Sequence, residues 1–259
     1  FFIGRQYTVP AAPEKAPLSA NEEEAGEEQT TTTSLLQNRY ILLICGLTAF
    51  WWIGFYIIDN IFYAQAALQF TTESQLAAFI GPFFATAGLV TLISSTLLAG
   101  PLISRFGIKI TLMIVPITLI LGTLALVSVG AVAGGAITLI FWLAAFNKLS
   151  NIGLGYSLDK SAQIILYQPL PASGRTQALT LVEGIVFPVA AGLAGLLLLI
   201  STTIMALTRV HLGSILLAVL AGWIAVVVLL GRTYPAALMQ ALAKRKLSGH
   251  SIDLNDSAS

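Results

Sequence analysis

The chain has 259 residues, of which 56% are hydrophobic and only 10% are charged, with a mean hydropathy of +0.86 and a formal net charge of +1. A soluble domain carries about 25% charged residues, so this composition excludes an ordinary soluble globular protein. The one cysteine, Cys45, excludes an intrachain disulfide and a cysteine-cluster metal site.

Residues 1–37 are predicted to form a disordered acidic linker on the cytoplasmic side. Five glutamates between Glu22 and Glu28 are followed by a run of threonines, and aromatic residues are scarce there. Such a segment buries too little apolar surface to fold by itself; it serves either as a solvated linker or as a regulatory interaction segment. Phe1 is not an initiator Met and opens no signal-peptide pattern, so we expect the chain to be part of a longer protein.

Residues 38–231 are predicted to form an all-α membrane domain of six transmembrane helices. A spanning helix needs about 20 mostly apolar residues. Six runs meet this length: Tyr40–Phe62 (or on to Phe70), Leu76–Ala99, Ile108–Val129, Ile137–Ile165, Leu179–Thr203 and Leu212–Leu230.

Basic residues in the connections predict the orientation of these helices. In the connections on the side opposite the N terminus, the only Lys or Arg is Arg209. The segments on the N-terminal side carry Arg39, Arg105, Lys109, Arg175, Arg232, Lys244, Arg245 and Lys246. An excess of Lys and Arg marks the cytoplasmic face, so both ends of the chain are predicted to be cytoplasmic. Residues 232–259 then form an amphipathic surface helix, with Pro235 in its first turn, and a polar tail.

The fourth span carries an unusual polar face for a membrane helix. Polar or small residues recur there mostly every three or four positions, namely Asn147, Lys148, Asn151, Gly155, Asp159 and Gln163. This spacing places them on one side of a helix. If the helix begins at Ile137, Lys148 lies about 16 Å along it, near the bilayer midplane, and Asp159 lies about 33 Å along it, near the cytoplasmic surface.

Charged groups at membrane depth are costly and mark candidate functional sites. Lys148 either binds an anionic substrate or forms an ion pair with Asp59 or Glu183. Asp59 either contributes to a gate or couples an ion, or is solvated at the end of its helix. Glu183 either exchanges a proton or pairs with Arg175 or Lys160. The candidate substrate-binding or coupling residues are Lys148, Asp59, Asn60, Asn147, Asn151, Asp159 and Glu183.

Two connections resemble the cytoplasmic loops of the major facilitator superfamily. Residues 100–109, GPLISRFGIK, match the Gly-x-Leu-x-Asp-Arg-x-Gly-Arg/Lys pattern except that Ser104 replaces the Asp. Residues 166–178 match the Pro-x-x-x-Arg-x-x-Ala turn that joins the fourth and fifth helices of a facilitator half. The resemblance implies that these loops act as cytoplasmic gates, through Gly100, Arg105, Gly107, Lys109, Pro171 and Arg175.

A closer resemblance covers residues 38–246, about four-fifths of the chain. This part of the sequence resembles the ADP/ATP carrier-like branch of that superfamily. The matching residues include Asp59-Asn60, Phe70-Thr71, Lys148, Glu183-Gly184 and Tyr234-Pro235. The resemblance implies the carboxyl-terminal six-helix half of a twelve-helix transporter, as in bacterial relatives with appended helical repeats. It also implies a second six-helix half as partner and an anionic substrate such as a nucleotide.

Together with the buried charges, the resemblance implies a secondary-active carrier that works by alternating access and exchanges ATP and ADP or another nucleotide. The alternative is a membrane anchor or sensor for fused cytoplasmic domains that transports nothing. No residue pattern predicts an enzyme, a metal site, a cofactor or a nucleic-acid partner. We expect the protein to lie in the lipid bilayer of a bacterial inner membrane or of an organelle membrane of similar origin.

Overall fold

The computed structural model describes residues 38–132, 137–204 and 209–256, and these residues are almost entirely helical. The predicted acidic linker, residues 1–37, lies outside the described residues. In the described part of the chain the α-helical segments are α1 Arg39–Gln69, α2 Glu73–Ile93, α3 Ala99–Val132, α4 Ile137–Leu154, α5 Lys160–Leu166, α6 Ala172–Leu181, α7 Phe187–Leu199 and α8 Arg209–Asp256.

Four five-residue π-helical turns interrupt or extend these helices. Ser94–Leu98 joins α2 to α3, Gly155–Asp159 joins α4 to α5, Val182–Val186 joins α6 to α7, and Ile200–Ile204 extends α7. Pro188 follows the third of these turns and has no N–H to donate to the carbonyl four residues back, which loosens the helix there. Such turns inside α-helices occur frequently at functional sites.

Within residues 38–132, 137–204 and 209–256, five helices are long and apolar enough to cross a membrane, so the chain is an all-α membrane protein. They are Arg39–Gln69, Glu73–Val132, Ile137–Leu166, Gly174–Thr203 and His211–Ala243. The first begins at an N-cap, where the Asn38 side chain accepts a hydrogen bond from the Tyr40 amide at 3.0 Å, and ends at Gln69, which agrees with the longer of the two predicted limits.

The second and third predicted spans follow each other over Glu73–Val132 without a separate loop, and they form two helices that meet at a kink at Gly107. The Gly107 backbone lies outside helical geometry, with φ 77° and ψ 170°. The loop expected over residues 100–109 is therefore reduced to one residue outside helical geometry, since glycine alone provides the reversal of φ.

The predicted start of a separate helix at Pro235 is wrong, because α8 runs through Pro235 without interruption. A proline inside a helix removes one hydrogen bond and crowds the preceding turn. Packing offsets this cost: Leu230 is buried in the main core, and Tyr234 and Ala237 pack against the same core on either side of the proline.

The helices pack around α1, which contacts α4, α7 and α8, while α3 packs against α4 and α8. Trp51, Ile57, Leu119 and Trp223 lie in the main core between them. By contrast, α2 fully buries only Ala87, while its Leu76, Phe79 and Phe83 pack, partly buried, against a second small core. This arrangement places the polar residues of α4 against α1, in the interior of the bundle.

Candidate functional site

The polar residues of the fourth predicted span are buried inside the bundle. Asn147, Lys148 and Asn151 lie on α4, and each is at most 4% exposed. Gly155 and Asp159 begin and end the π-helical turn that follows, and Gln163 lies on α5; all three are buried. The helical spacing thus identified a single inward-facing surface, which contains a charged group near the middle of a membrane helix.

Lys148 and Asp59 form an ion pair between α4 and α1. The Lys148 side chain is 2% exposed, whereas the Asp59 side chain is 26% exposed. Of the two acidic partners that the sequence allowed, the structure brings Asp59, and not Glu183, to the lysine. Removing one partner of a buried pair leaves an uncompensated charge, at a cost of about 3–5 kcal/mol. The pair is therefore a link between α1 and α4.

Aromatic rings surround this ion pair on the α1 side. The Lys148 Nζ lies 4.2 Å from the centroid of the Phe55 ring, close enough for a cation–π interaction. The aromatic cluster consists of Trp51, Trp52, Phe55 and Tyr156, with Trp51 and Tyr156 in edge-to-face contact at 5.4 Å. We did not predict Phe55 as part of the site, although its position one helical turn before Asp59 was a usable signal.

Asn147 connects α4 to α3. Its Nδ2 donates a hydrogen bond of 3.3 Å to the Thr123 hydroxyl, and both residues are buried. Gly122 makes this approach possible, because a Cβ on Gly122 would overlap the Asn147 side-chain amide. The role of Asn147 shown by these contacts is to join two helices directly behind Lys148.

Several buried polar groups of α1, α4 and the following π-helical turn have no hydrogen-bond partner in good geometry among the described protein atoms. They are both side-chain atoms of the Asn151 amide, both carboxyl oxygens of Asp159 and the Trp51 indole N–H. Asp159 is only 1% exposed, so neighbouring side chains cover it, and its position near the cytoplasmic surface of the membrane stays a prediction.

The other predicted site residues lie apart from the ion pair or at its edge. Asn60 is half-buried beside Asp59 on α1. Glu183 is exposed in the π-helical turn between α6 and α7, and neither Arg175 nor Lys160 lies within ion-pairing distance of it. Glu183 instead lines a cavity of about 450 Å³ between α1, α5 and the α6–α7 helix.

The residues of the two predicted gate loops lie at the ends of helices. Gly100, Arg105 and Lys109 are exposed on α3 around the break at Gly107. Pro171 is the N-cap residue of α6, and its carbonyl accepts a hydrogen bond of 2.8 Å from the Arg175 amide. Pro169 and Pro171 separate α5 from α6, as expected from residues that cannot donate a backbone hydrogen bond.

The structure is that of a membrane protein with a charged site in its interior. This site contains the buried Lys148–Asp59 pair, and further buried polar groups without hydrogen-bond partners lie in the same helical bundle. The sequence model of the TLC ATP/ADP transporter matches residues 12–234. The chain belongs to the TLC ATP/ADP transporter family.

A relative of this family is ADP,ATP carrier protein 2 of Chlamydia trachomatis, which is 22% identical over 219 residues. The match covers 78% of the chain and 40% of the Chlamydia protein, so the chain spans about two-fifths of the length of this curated TLC relative. No solved structure matches the chain significantly.

Proposed function

We propose that the chain forms part of a secondary-active nucleotide carrier, and that Lys148 contacts the phosphates of the substrate. The observation that carries the proposal is the Lys148–Asp59 pair. An ammonium group buried in a membrane helix is costly unless it is compensated, and such groups mark substrate and ion pathways. The name of the Chlamydia relative, ADP,ATP carrier protein 2, supports ATP and ADP as the first substrates to test.

In the proposed mechanism, the substrate phosphate competes with Asp59 for Lys148. Asp59 is the more exposed partner, so an anion that enters from the Asp59 side reaches the pair without unfolding α4. Binding then frees the aspartate and loosens the contact between α1 and α4. Alternating access follows when this bundle rocks against a second six-helix half, with both chain ends on the cytoplasmic side of a bacterial inner membrane or a related organelle membrane.

The remaining site residues have supporting roles in this proposal. Asn60, Asn151 and Asp159 orient the substrate or exchange charge with it, and Asn147 holds α4 against α3. At the ends of the helices Gly100, Arg105, Gly107, Lys109, Pro171 and Arg175 form cytoplasmic gates. Gly107 is suited to this role because its unusual backbone geometry is confined to one residue.

The test is exchange of radiolabelled ATP and ADP in proteoliposomes that contain the full-length protein. We expect saturable exchange in the wild type and its loss in Lys148→Ala. Arg232→Ala removes an exposed positive charge on α8 and serves as the matched control that keeps exchange. Absence of exchange by well-folded wild-type protein would overturn the nucleotide assignment and favour another substrate or the membrane-anchor alternative.

A further inference from the structure

The cavity that contains Glu183 has the composition of a site for a flat aromatic ligand. Its walls include Thr48 and Trp52 of α1, Lys160 and Gln163 of α5, Tyr167, Glu183 and Phe187. Its volume of about 450 Å³ lies within the range of about 300–1,000 Å³ that small-molecule sites occupy. The cavity lies between three helical segments and combines aromatic surfaces with a few polar groups, as such sites usually do.

The aromatic surfaces of the cavity are adjacent to the ion pair. The rings of Trp52 and Phe187 have centroids 4.3 Å apart, with an angle of 46° between their planes. On the other side Trp52 lies 5.5 Å from Phe55, and Phe55 in turn lies 4.2 Å from the Lys148 Nζ. Two rings in contact, Trp52 and Phe55, therefore connect the wall of the cavity to the ammonium group, so a ligand that lies along them can direct an anionic group toward Lys148.

The polar groups of the cavity differ in what they offer a ligand. Glu183 is exposed and has no ion-pair partner among the described cations, so its carboxylate is available to accept hydrogen bonds. Tyr167 lies outside the membrane-spanning helices, and burial, followed by the neighbouring Cys45 and Glu183, raises the pKa of its phenol. The phenol therefore stays protonated and can donate. Gln163 can both donate and accept.

We propose that this cavity binds the base of the transported nucleotide, stacked against Trp52 with its amino group directed to Glu183, while the phosphates extend to Lys148. The inference rests on the proposed function, which concerns the phosphate end of the same ligand. Stacking against aromatic side chains holds any base, whereas a carboxylate selects bases that present an amino donor. Adenine presents such a donor, and hypoxanthine presents a carbonyl oxygen at the same position.

The first experiment compares ATP with tripolyphosphate, which has no base, by calorimetric titration of the purified full-length protein. Losing the stack on one aromatic ring lowers affinity by about five- to a hundredfold. We expect Trp52→Leu to lose this factor for ATP and to bind tripolyphosphate as the wild type does. Trp52→Phe keeps a ring and is expected to retain most of the ATP affinity.

The outcomes separate the two proposals. An ATP affinity unchanged in Trp52→Leu, or reduced by the same factor as that for tripolyphosphate, overturns the base site and leaves the phosphate site standing. Failure of the wild type to bind either ligand overturns the proposed function and the base site together. Lys148→Ala weakens both ligands if the phosphate assignment is right.

The second experiment changes Glu183, which is exposed and can be replaced without disturbing the packed interior. Wild-type protein is expected to prefer ATP to ITP, and Glu183→Gln, which can also donate to the hypoxanthine carbonyl, is expected to reduce that preference at least about fivefold. Glu73→Gln, at the exposed start of α2, is the matched control. An ATP-to-ITP ratio that is the same in Glu183→Gln and the wild type overturns the role of Glu183.

Discussion

Lys148 of α4 and Asp59 of α1 form an ion pair whose two ends differ in exposure, with the lysine 2% and the aspartate 26% exposed. Because of this difference in exposure, replacing the lysine and replacing the aspartate should change the stability of the protein by different amounts. A lysine left alone is trapped in the interior of the bundle, whereas an aspartate left alone can be partly solvated.

We therefore expect Asp59→Ala to destabilise the protein more than Lys148→Ala, with the former costing about 3–5 kcal/mol. The double variant Asp59→Leu/Lys148→Met removes both charges and is expected to unfold close to the wild-type temperature while transporting nothing. Thermal unfolding in detergent, beside exchange assays, measures both effects. Equal destabilisation by the two single variants would contradict the asymmetry.

The backbone at Gly107 supports a second prediction. Its φ of 77° and ψ of 170° fall in a region that side-chain-bearing residues avoid, and placing one there costs about 1–3 kcal/mol. Gly107→Ala is expected to lower the unfolding temperature by a corresponding amount. Gly100→Ala is the matched control, since Gly100 lies within helical geometry with open space around its Cβ position, and it is expected to be neutral or slightly stabilising. Similar losses in both variants would contradict this account.

Asp159 supports a third prediction, because its carboxyl is buried and the Trp51 indole N–H that faces it makes no hydrogen bond in good geometry. Asp159→Leu replaces that polar group by an apolar side chain of the same branched shape, and we expect the unfolding free energy to stay the same or to rise. Ser157→Ala on the same turn is a comparison that removes hydroxyl bonds to the Gly153 and Leu154 carbonyls. A loss of more than about 2 kcal/mol in Asp159→Leu would show that the carboxyl has a stabilising partner.

Tyr40 links the beginning of α1 to the end of α5. Its hydroxyl donates a buried hydrogen bond of 2.6 Å to the Leu166 carbonyl, 126 positions along the chain. Tyr40→Phe leaves that carbonyl unsatisfied and is expected to cost about 1–3 kcal/mol in a melting experiment. Tyr63→Phe changes an exposed ring on the same helix and should have little effect. An unaltered melting temperature for Tyr40→Phe would mean that water replaces the lost donor.

The sequence was sufficient to predict the membrane class and the inward polar face of α4, because apolar length and helical spacing both depend on local composition. It left two acids as partners for Lys148, since the choice between Asp59 and Glu183 depends on how α1 and α7 pack against α4. It also placed a loop over residues 100–109, where a single change of backbone direction at Gly107 is enough.

The burial of Asp159 shows a different limit of pattern reading. Helical rise measures distance along an axis and says nothing about which neighbours cover a side chain. Asp159 ends the turn Gly155–Asp159 and its carboxyl faces the Trp51 indole of α1, a contact that helical spacing within one segment does not predict. For Glu183 the sequence left open a proton-exchanging group or a pair with Arg175 or Lys160; the pair is not formed among the described residues, and Glu183 lines a cavity.

The π-helical turns also have an evolutionary consequence. Each one accommodates an additional residue within a continuous helix and shifts the phase of everything beyond it by about 100°. A single-residue insertion or deletion normally rotates the rest of a membrane helix out of register with its neighbours. The π-helical turns can accommodate such changes at Ser94–Leu98, Gly155–Asp159, Val182–Val186 and Ile200–Ile204. Homologous chains should therefore differ in length by one residue at these points within otherwise ungapped helices.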